Sequence, residues 1–186
     1  KLPALVEATN MLVCGEDLGM VPDCVASVMD NLKILSLEIQ RMPKDPKTTF
    51  GGNPYIYPYL SVCTTSTHDM GGIRSWWEED KEKTQTFYNN MLHEMGVAPF
   101  FAEPWVCDKI VSQHLDSPAM LTVLPLQDWL SIDGGIRREN PNEEQINVPA
   151  NPKHYWRYRM HITVEELLAE TSFNNYLKEK IVNSGR

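Results

Sequence analysis

Met11-Leu12-Val13-Cys14-Gly15-Glu16-Asp17-Leu18-Gly19 is the stretch on which the fold turns. Met11 to Cys14 form a short apolar run of the kind that makes a buried strand. Gly15 interrupts it, and two adjacent carboxylates follow at once. Val21-Pro22-Asp23 then opens a helical pattern over Pro22–Asn31, with Pro22 suited to a first turn. A strand that ends in acids and turns into a helix is how β/α-barrels present reactive groups. An acid placed there sits between a dry core and an open pocket, where burial raises its pKa toward general-acid range. A helix N-terminus also attracts acids through its dipole, and the residues alone leave both readings open.

The same unit repeats along the chain. Leu32–Ile39 is a second apolar run, closed by Gln40-Arg41-Met42-Pro43; Leu60–Thr64 is a third, closed by Thr65-Ser66-Thr67-His68-Asp69; Met120–Leu126 is a fourth, closed by Gln127-Asp128. Between them lie helical patterns: Leu2–Ala8, a long region from Trp76 through Met95 with Gly96 as its cap, Pro104–Leu115, a helix through Glu165–Glu170 capped by Thr163, and Phe173–Val182. Lys44–Pro58 and Asp133–Pro152 read as irregular loops, the second long and polar enough to border a site. Strands alternating with helices imply a parallel α/β fold. Four such units make half of an eight-fold barrel, or else a small doubly wound sheet, and pattern does not separate the two.

Composition narrows the function. The 186 residues are the size of one domain, and we expect residues 1–186 to form one. A net charge of -8 argues against nucleic acid or an anionic membrane as partner. No apolar run approaches a membrane span, and Lys1-Leu2-Pro3 does not begin a signal peptide. The four cysteines form no Cys-x-x-Cys pair, so we expect reduced thiols and a cytoplasmic location. Opening without Met on a helix tail, the chain reads as an excerpt of a longer protein. Nucleotide and acyl-transfer motifs are absent, and no cofactor is expected. His68-Asp69 lacks the further spaced ligands a metal site needs.

Gly15-Glu16-Asp17-Leu18-Gly19 resembles the acid/base motif of the 4-α-glucanotransferases, the amylomaltases and disproportionating enzymes of glycoside hydrolase family 77. Leu37–Pro43, Ser66–Asp69, Trp76–Asp80 and Asn151–Arg159 are similar to segments found in the same order in that family, most like its plant cytosolic type and bacterial relatives. The resemblance implies the C-terminal half of a (β/α)8 barrel, about strands 5 to 8. It also implies retaining transfer of α-1,4-linked glucosyl units, with maltose, malto-oligosaccharides or glycogen-like glucans as partners. On it Glu16 is the general acid/base, Asp69 steadies the transition state, and His68 contacts the sugar. Gln40, Asn147 and Trp156 are further candidate sugar contacts; Asn147 equally suits a turn and Trp156 a packed strand. Trp76 and Trp77 read as helix packing, and Asp17 as a supporting or helix-start acid.

Two departures stand out. Retaining transfer needs a nucleophilic carboxylate about 5–5.5 Å from the acid/base; in the family it is an aspartate N-terminal to the acid/base motif. Fourteen residues precede Gly15 and none is Asp. The nucleophile therefore lies outside this chain, and the isolated chain is expected to be inactive. Many relatives carry Arg where Gln145 stands. The rival from another class is a non-catalytic carbohydrate-binding or interaction module on the same fold; a complete small β/α protein with unrelated chemistry is a more distant one. Half of a closed barrel would leave edges that self-associate or are covered by the missing half.

Overall fold

The structure is a computed structural model that describes residues 1–19 and 21–186. The chain forms two compact units: residues 1–64 with 117–123, and residues 65–116 with 124–186.

The first unit is built on a parallel sheet. Strands β1 (Ser36–Ile39), β2 (Ser61–Thr64) and β3 (Leu121–Thr122) pair in the order β1-β2-β3. Ser36 stands beside Ser61 and Ile39 beside Thr64; Val62 stands beside Leu121. Cys14 adds a parallel bridge to Leu35, outside β1, through Gly15 N–H to Leu35 O (2.8 Å) and Leu35 N–H to Val13 O (2.9 Å). Each segment thus lies beside the next in sequence and runs the same way. Order does not reverse anywhere in it, whereas a doubly wound sheet reverses at its switch point.

All four expected strands are shorter than their apolar runs: Leu32–Ile39 keeps Ser36–Ile39, its first residue ending a helix, Leu60–Thr64 keeps Ser61–Thr64, and the other two lose more. Met11–Cys14 contributes only the bridge, with Met11 and Leu12 exposed. Lacking a neighbour on its outer side among the described residues, this segment has little to hold an extended ladder. Met120–Leu126 pairs only at Leu121–Thr122. Pro125 has no N–H to give a ladder and instead precedes a helix at Leu126–Leu130. Helix α1 (Leu2–Glu7) buries no residue, while α2 (Cys24–Leu32) buries Met29 and ends at Lys33 in the left-handed region (φ 55°). Leu35, Ile39 and Cys63 are fully or almost fully buried in this unit.

The second unit is helical: α3 (Ile73–Glu79), α4 (Lys81–Asn90), α5 (Pro104–Leu115), α6 (Leu126–Leu130), α7 (Val164–Ala169) and α8 (Thr171–Asn183). The single long helix read from Trp76 to Met95 is divided at Asp80. Its backbone is extended there (φ -139°, ψ 108°), and its carboxylate accepts from the Glu82 and Lys83 N–H groups as the cap of α4. Helix α4 then ends at Asn90, so Gly96, at φ 87°, turns a loop rather than capping that helix. Trp76 and Trp77 pack edge-on against Phe87, at 5.0 and 6.4 Å between ring centres, and Trp77 Nε1–H donates to Pro99 O. They are helix-packing residues, as their spacing implies. Helix α8 is tied to α5 by Lys180 and Tyr176, both bound to Asp108. Thr163 and Glu166 form a reciprocal capping box at the start of α7.

Candidate active site

In the first unit, Glu16 and Asp17 follow the Cys14 bridge and separate in role. Glu16 is exposed; Asp17 is buried. Asp17 accepts from the Leu37 N–H of β1 (2.8 Å) and from Lys44 Nζ (2.7 Å). Lys44 Nζ also donates to Glu38 Oε1 at 2.7 Å, as does Ser36 Oγ. One cation therefore offsets two buried carboxylates, and Asp17 fixes the turn that carries Glu16 against β1. Asp17 is thus a supporting acid.

Gln40 follows β1 and is fully buried, and its backbone carbonyl accepts from Gly51 N–H (2.8 Å). The loop approaches β1 so closely there that a Cβ on Gly51 would lie 2.0 Å from Ile39 O. Burial keeps the Gln40 side chain off the solvent-facing surface of this unit.

In the second unit, four of the residues singled out from sequence come together. Asn147 Nδ2–H donates to Asp69 Oδ1 (2.8 Å), His68 Nε2 lies 3.2 Å from Asp69 Oδ2, and the His68 ring is 5.5 Å from that of Trp156. Of these, His68, Asp69 and Trp156 are more than half exposed. A carboxylate steadied by an amide and an imidazole, with an indole beside it, offers hydroxyl acceptors, donors and an apolar face at one place. That is the mixture of groups a sugar ring needs. Asn147 is brought to Asp69 from 78 residues away in the chain.

Residues that sequence reading passed over hold this cluster. Asp128, read as closing the fourth strand, lies in α6 and is 1% exposed. Its Oδ2 accepts from the Thr65 and Ser66 hydroxyls (2.6 and 2.8 Å), and Oδ1 accepts from Ile73 N–H at the start of α3 (2.8 Å). Both ends of the segment carrying His68 and Asp69 are thereby pinned to one carboxylate. Gly72 is needed for this approach, since a Cβ there would lie 2.8 Å from Asp128 Oδ1.

The Asn147 loop has its own anchor. Arg74, in α3, donates from Nη1 to Arg138 O (2.6 Å) and Glu144 Oε1 (2.7 Å), and from Nη2 to Glu139 O (3.1 Å). Gln127 Nε2–H reaches Glu144 O, and His154 Nε2 lies 2.9 Å from Ile146 O. Burial pushes the Glu144 carboxyl up to about 7, against the pull of the Arg74 guanidinium. The signal available in sequence was a charged Arg74 beside apolar Ile73, Trp76 and Trp77; a helix face of that kind hides a charge only if it is paired.

No group of three or more His, Cys, Asp or Glu side chains placed to hold a metal occurs among the described residues. No helix among them is long and apolar enough to cross a membrane. The four cysteines are free thiols, and burial pushes Cys107 up to about 12.

Comparison with known proteins agrees with the motifs. The model of the glycoside hydrolase 77 family, described as 4-alpha-glucanotransferase, matches residues 2–164. The chain is 43% identical over 185 residues to the 4-alpha-glucanotransferase DPE2 of Oryza sativa subsp. japonica, covering all of this chain and 20% of that protein. It is 28% identical over 185 residues to the 4-alpha-glucanotransferase of Chlamydia muridarum, covering 95% of this chain and 33% of that protein. The chain thus spans a fifth to a third of these relatives. Among solved structures, the amylomaltase from Streptococcus agalactiae in complex with acarbose is similar in fold, with a TM-score of 0.71 at 18% identity, covering all of this chain and 34% of that one.

Proposed function

The chain belongs to the glycoside hydrolase 77 family of 4-alpha-glucanotransferases, and from that premise we propose that its protein carries out retaining transfer of α-1,4-linked glucosyl units between malto-oligosaccharides or maltose and glucan acceptors. The chain supplies the C-terminal half of a (β/α)8 barrel, about strands 5 to 8, as one domain. Unreversed parallel strand order and the likeness to an amylomaltase support this placement. The missing half covers the open edges and brings the nucleophile; without it the chain self-associates and is inactive.

In this mechanism Glu16 protonates the glycosidic oxygen as it leaves, then takes a proton from the acceptor hydroxyl. A nucleophilic carboxylate from outside the chain holds the glycosyl unit between the two steps. Asp69 accepts hydrogen bonds from the donor sugar's hydroxyls. These strengthen as the ring flattens and positive charge grows at the anomeric carbon, so the interaction favours the transition state over the ground state. His68 and Asn147 hold the Asp69 carboxylate and present donors, and Trp156 covers an apolar sugar face. No metal or cofactor enters the reaction. Free thiols, including the buried Cys63 and Cys107, are in keeping with a cytoplasmic setting.

The observation that carries this reading is the meeting of Asp69 with Asn147 and His68 beside Trp156. Asp69→Asn in the full-length enzyme tests it. We expect glucose release from maltotriose to fall by about a hundredfold or more, with KM moving less than kcat, because the lost interaction is made mainly in the transition state. A variant with unchanged kcat would remove Asp69 from this role.

A further inference from the structure

A cavity of about 860 Å³ opens in the second unit, lined by Arg138, Lys153, His154, Tyr155, Arg157 and Arg159 among others. Its size is that of a small-molecule site. Its charge is the reverse of the protein's. In a chain of net charge -8, four Lys or Arg residues and a histidine line one space, against a single carboxylate, Glu143. Glu143 is spent on Arg138, at 2.8 Å. Lys153 and Arg157 are exposed, and neither is held by a carboxylate among the described residues. Arg138, which donates to Arg159 O as well, keeps a buried Nε–H with no acceptor.

Like charges held this close repel one another, so the arrangement is favourable when an anion fills it. Guanidinium forks match the oxygens of a phosphate, and Lys adds a compact charge. The cavity also borders the candidate sugar cluster along one segment. Ile146 lines it while Asn147 binds Asp69; Tyr155 and Arg157 line it while Trp156, between them, faces His68. We propose that the cavity binds the phosphate group of a phosphorylated sugar. Lys153, Arg157 and Arg159 take the phosphate oxygens, and Tyr155 lies against the sugar. The carbohydrate part of this inference rests on the glucan reading of the neighbouring cluster; the anion part does not.

Calorimetric titration of the full-length protein with glucose 6-phosphate, inorganic phosphate and glucose tests it without turnover. Glucose 6-phosphate should bind at least about tenfold more tightly than glucose, the effect of one charge-assisted hydrogen bond or more, and weaken with added salt. Lys153→Gln with Arg157→Gln should weaken it about tenfold at unchanged melting temperature, both side chains being exposed. Glu143→Gln should tighten it by removing the competing carboxylate, a direction that mere structural damage would not give. Unchanged affinity in the double variant would overturn the site. Inorganic phosphate binding as tightly as glucose 6-phosphate would overturn its sugar part. Loss of glucan transfer with this binding intact would count against the proposed function alone.

Discussion

Truncating Asp128 to Ala removes the acceptor for three donors at once: the Thr65 and Ser66 hydroxyls and Ile73 N–H, all nearly or fully buried. Each buried donor left without its carboxylate costs about 1–3 kcal/mol. Hydroxyls can rotate toward other acceptors, whereas the Ile73 N–H cannot, so we set the expected loss at about 4 kcal/mol rather than the full sum. Asp128→Asn is a milder change. One oxygen remains for Ile73 N–H, and the new amide can donate to hydroxyls that turn to accept, leaving a loss of about 1–2 kcal/mol. Urea unfolding followed by Trp fluorescence reads both, as shifts in midpoint at constant slope. Native-state hydrogen exchange at the amides of Thr67 to Met70 should rise in the Ala variant beyond the global loss, because that segment loses both its pins. An Ala variant within about 0.5 kcal/mol of wild type would refute the anchoring role. Equal costs for Ala and Asn would refute the hydrogen-bond reasoning behind it.

Glu144 should make stability depend on pH in a direction unusual for a carboxylate. Its folded pKa, about 7, lies above the ordinary 4.5, so its stabilising contribution is full below pH 4.5 and is lost as pH rises through 7. Relative to Glu144→Gln, wild type should therefore lose about 3 kcal/mol between pH 4.5 and 8 in urea unfolding; a difference that grows with pH would show that Arg74 governs the group instead. Gly51→Ala places a Cβ against two backbone carbonyls, of Ile39 and Met42, and should cost about 1–3 kcal/mol in the same assay. A neutral result there would mean the loop does not lie against β1.

Legibility in the sequence followed how local each feature is. Helix α5 matched its expected limits, Pro104–Leu115, because Pro104 opens it and its apolar spacing is regular. The Thr163 capping box likewise needs only four residues to be visible. Parallel strands were legible as apolar runs, but not their lengths: pairing is set by neighbours, so Met11–Cys14 shrank to one bridge and Met120–Leu126 to two residues. Asp80 lay inside the long helical pattern read from Trp76 to Met95, yet its place before Glu82 and Lys83 made it a cap. Of the candidate cluster, His68, Asp69 and Trp156 lie in the segments that carry the family resemblance, whereas Asn147 was read as either a sugar contact or a turn. Asp128, Arg74 and Glu144 were not singled out, since their partners lie 55 to 70 residues away and only the folded chain joins them.

The central claim is that Glu16 is the proton donor of a glucan-transferring enzyme. Glu16→Gln in the full-length protein, assayed in parallel on maltose and on α-glucosyl fluoride, tests it most directly. Maltose needs its departing oxygen protonated, and fluoride leaves without that help. Transfer from maltose should fall by about 10²–10⁴-fold, the usual worth of a general acid, while first-turnover fluoride release falls far less. Ordinary turnover of maltose by this variant would contradict the claim.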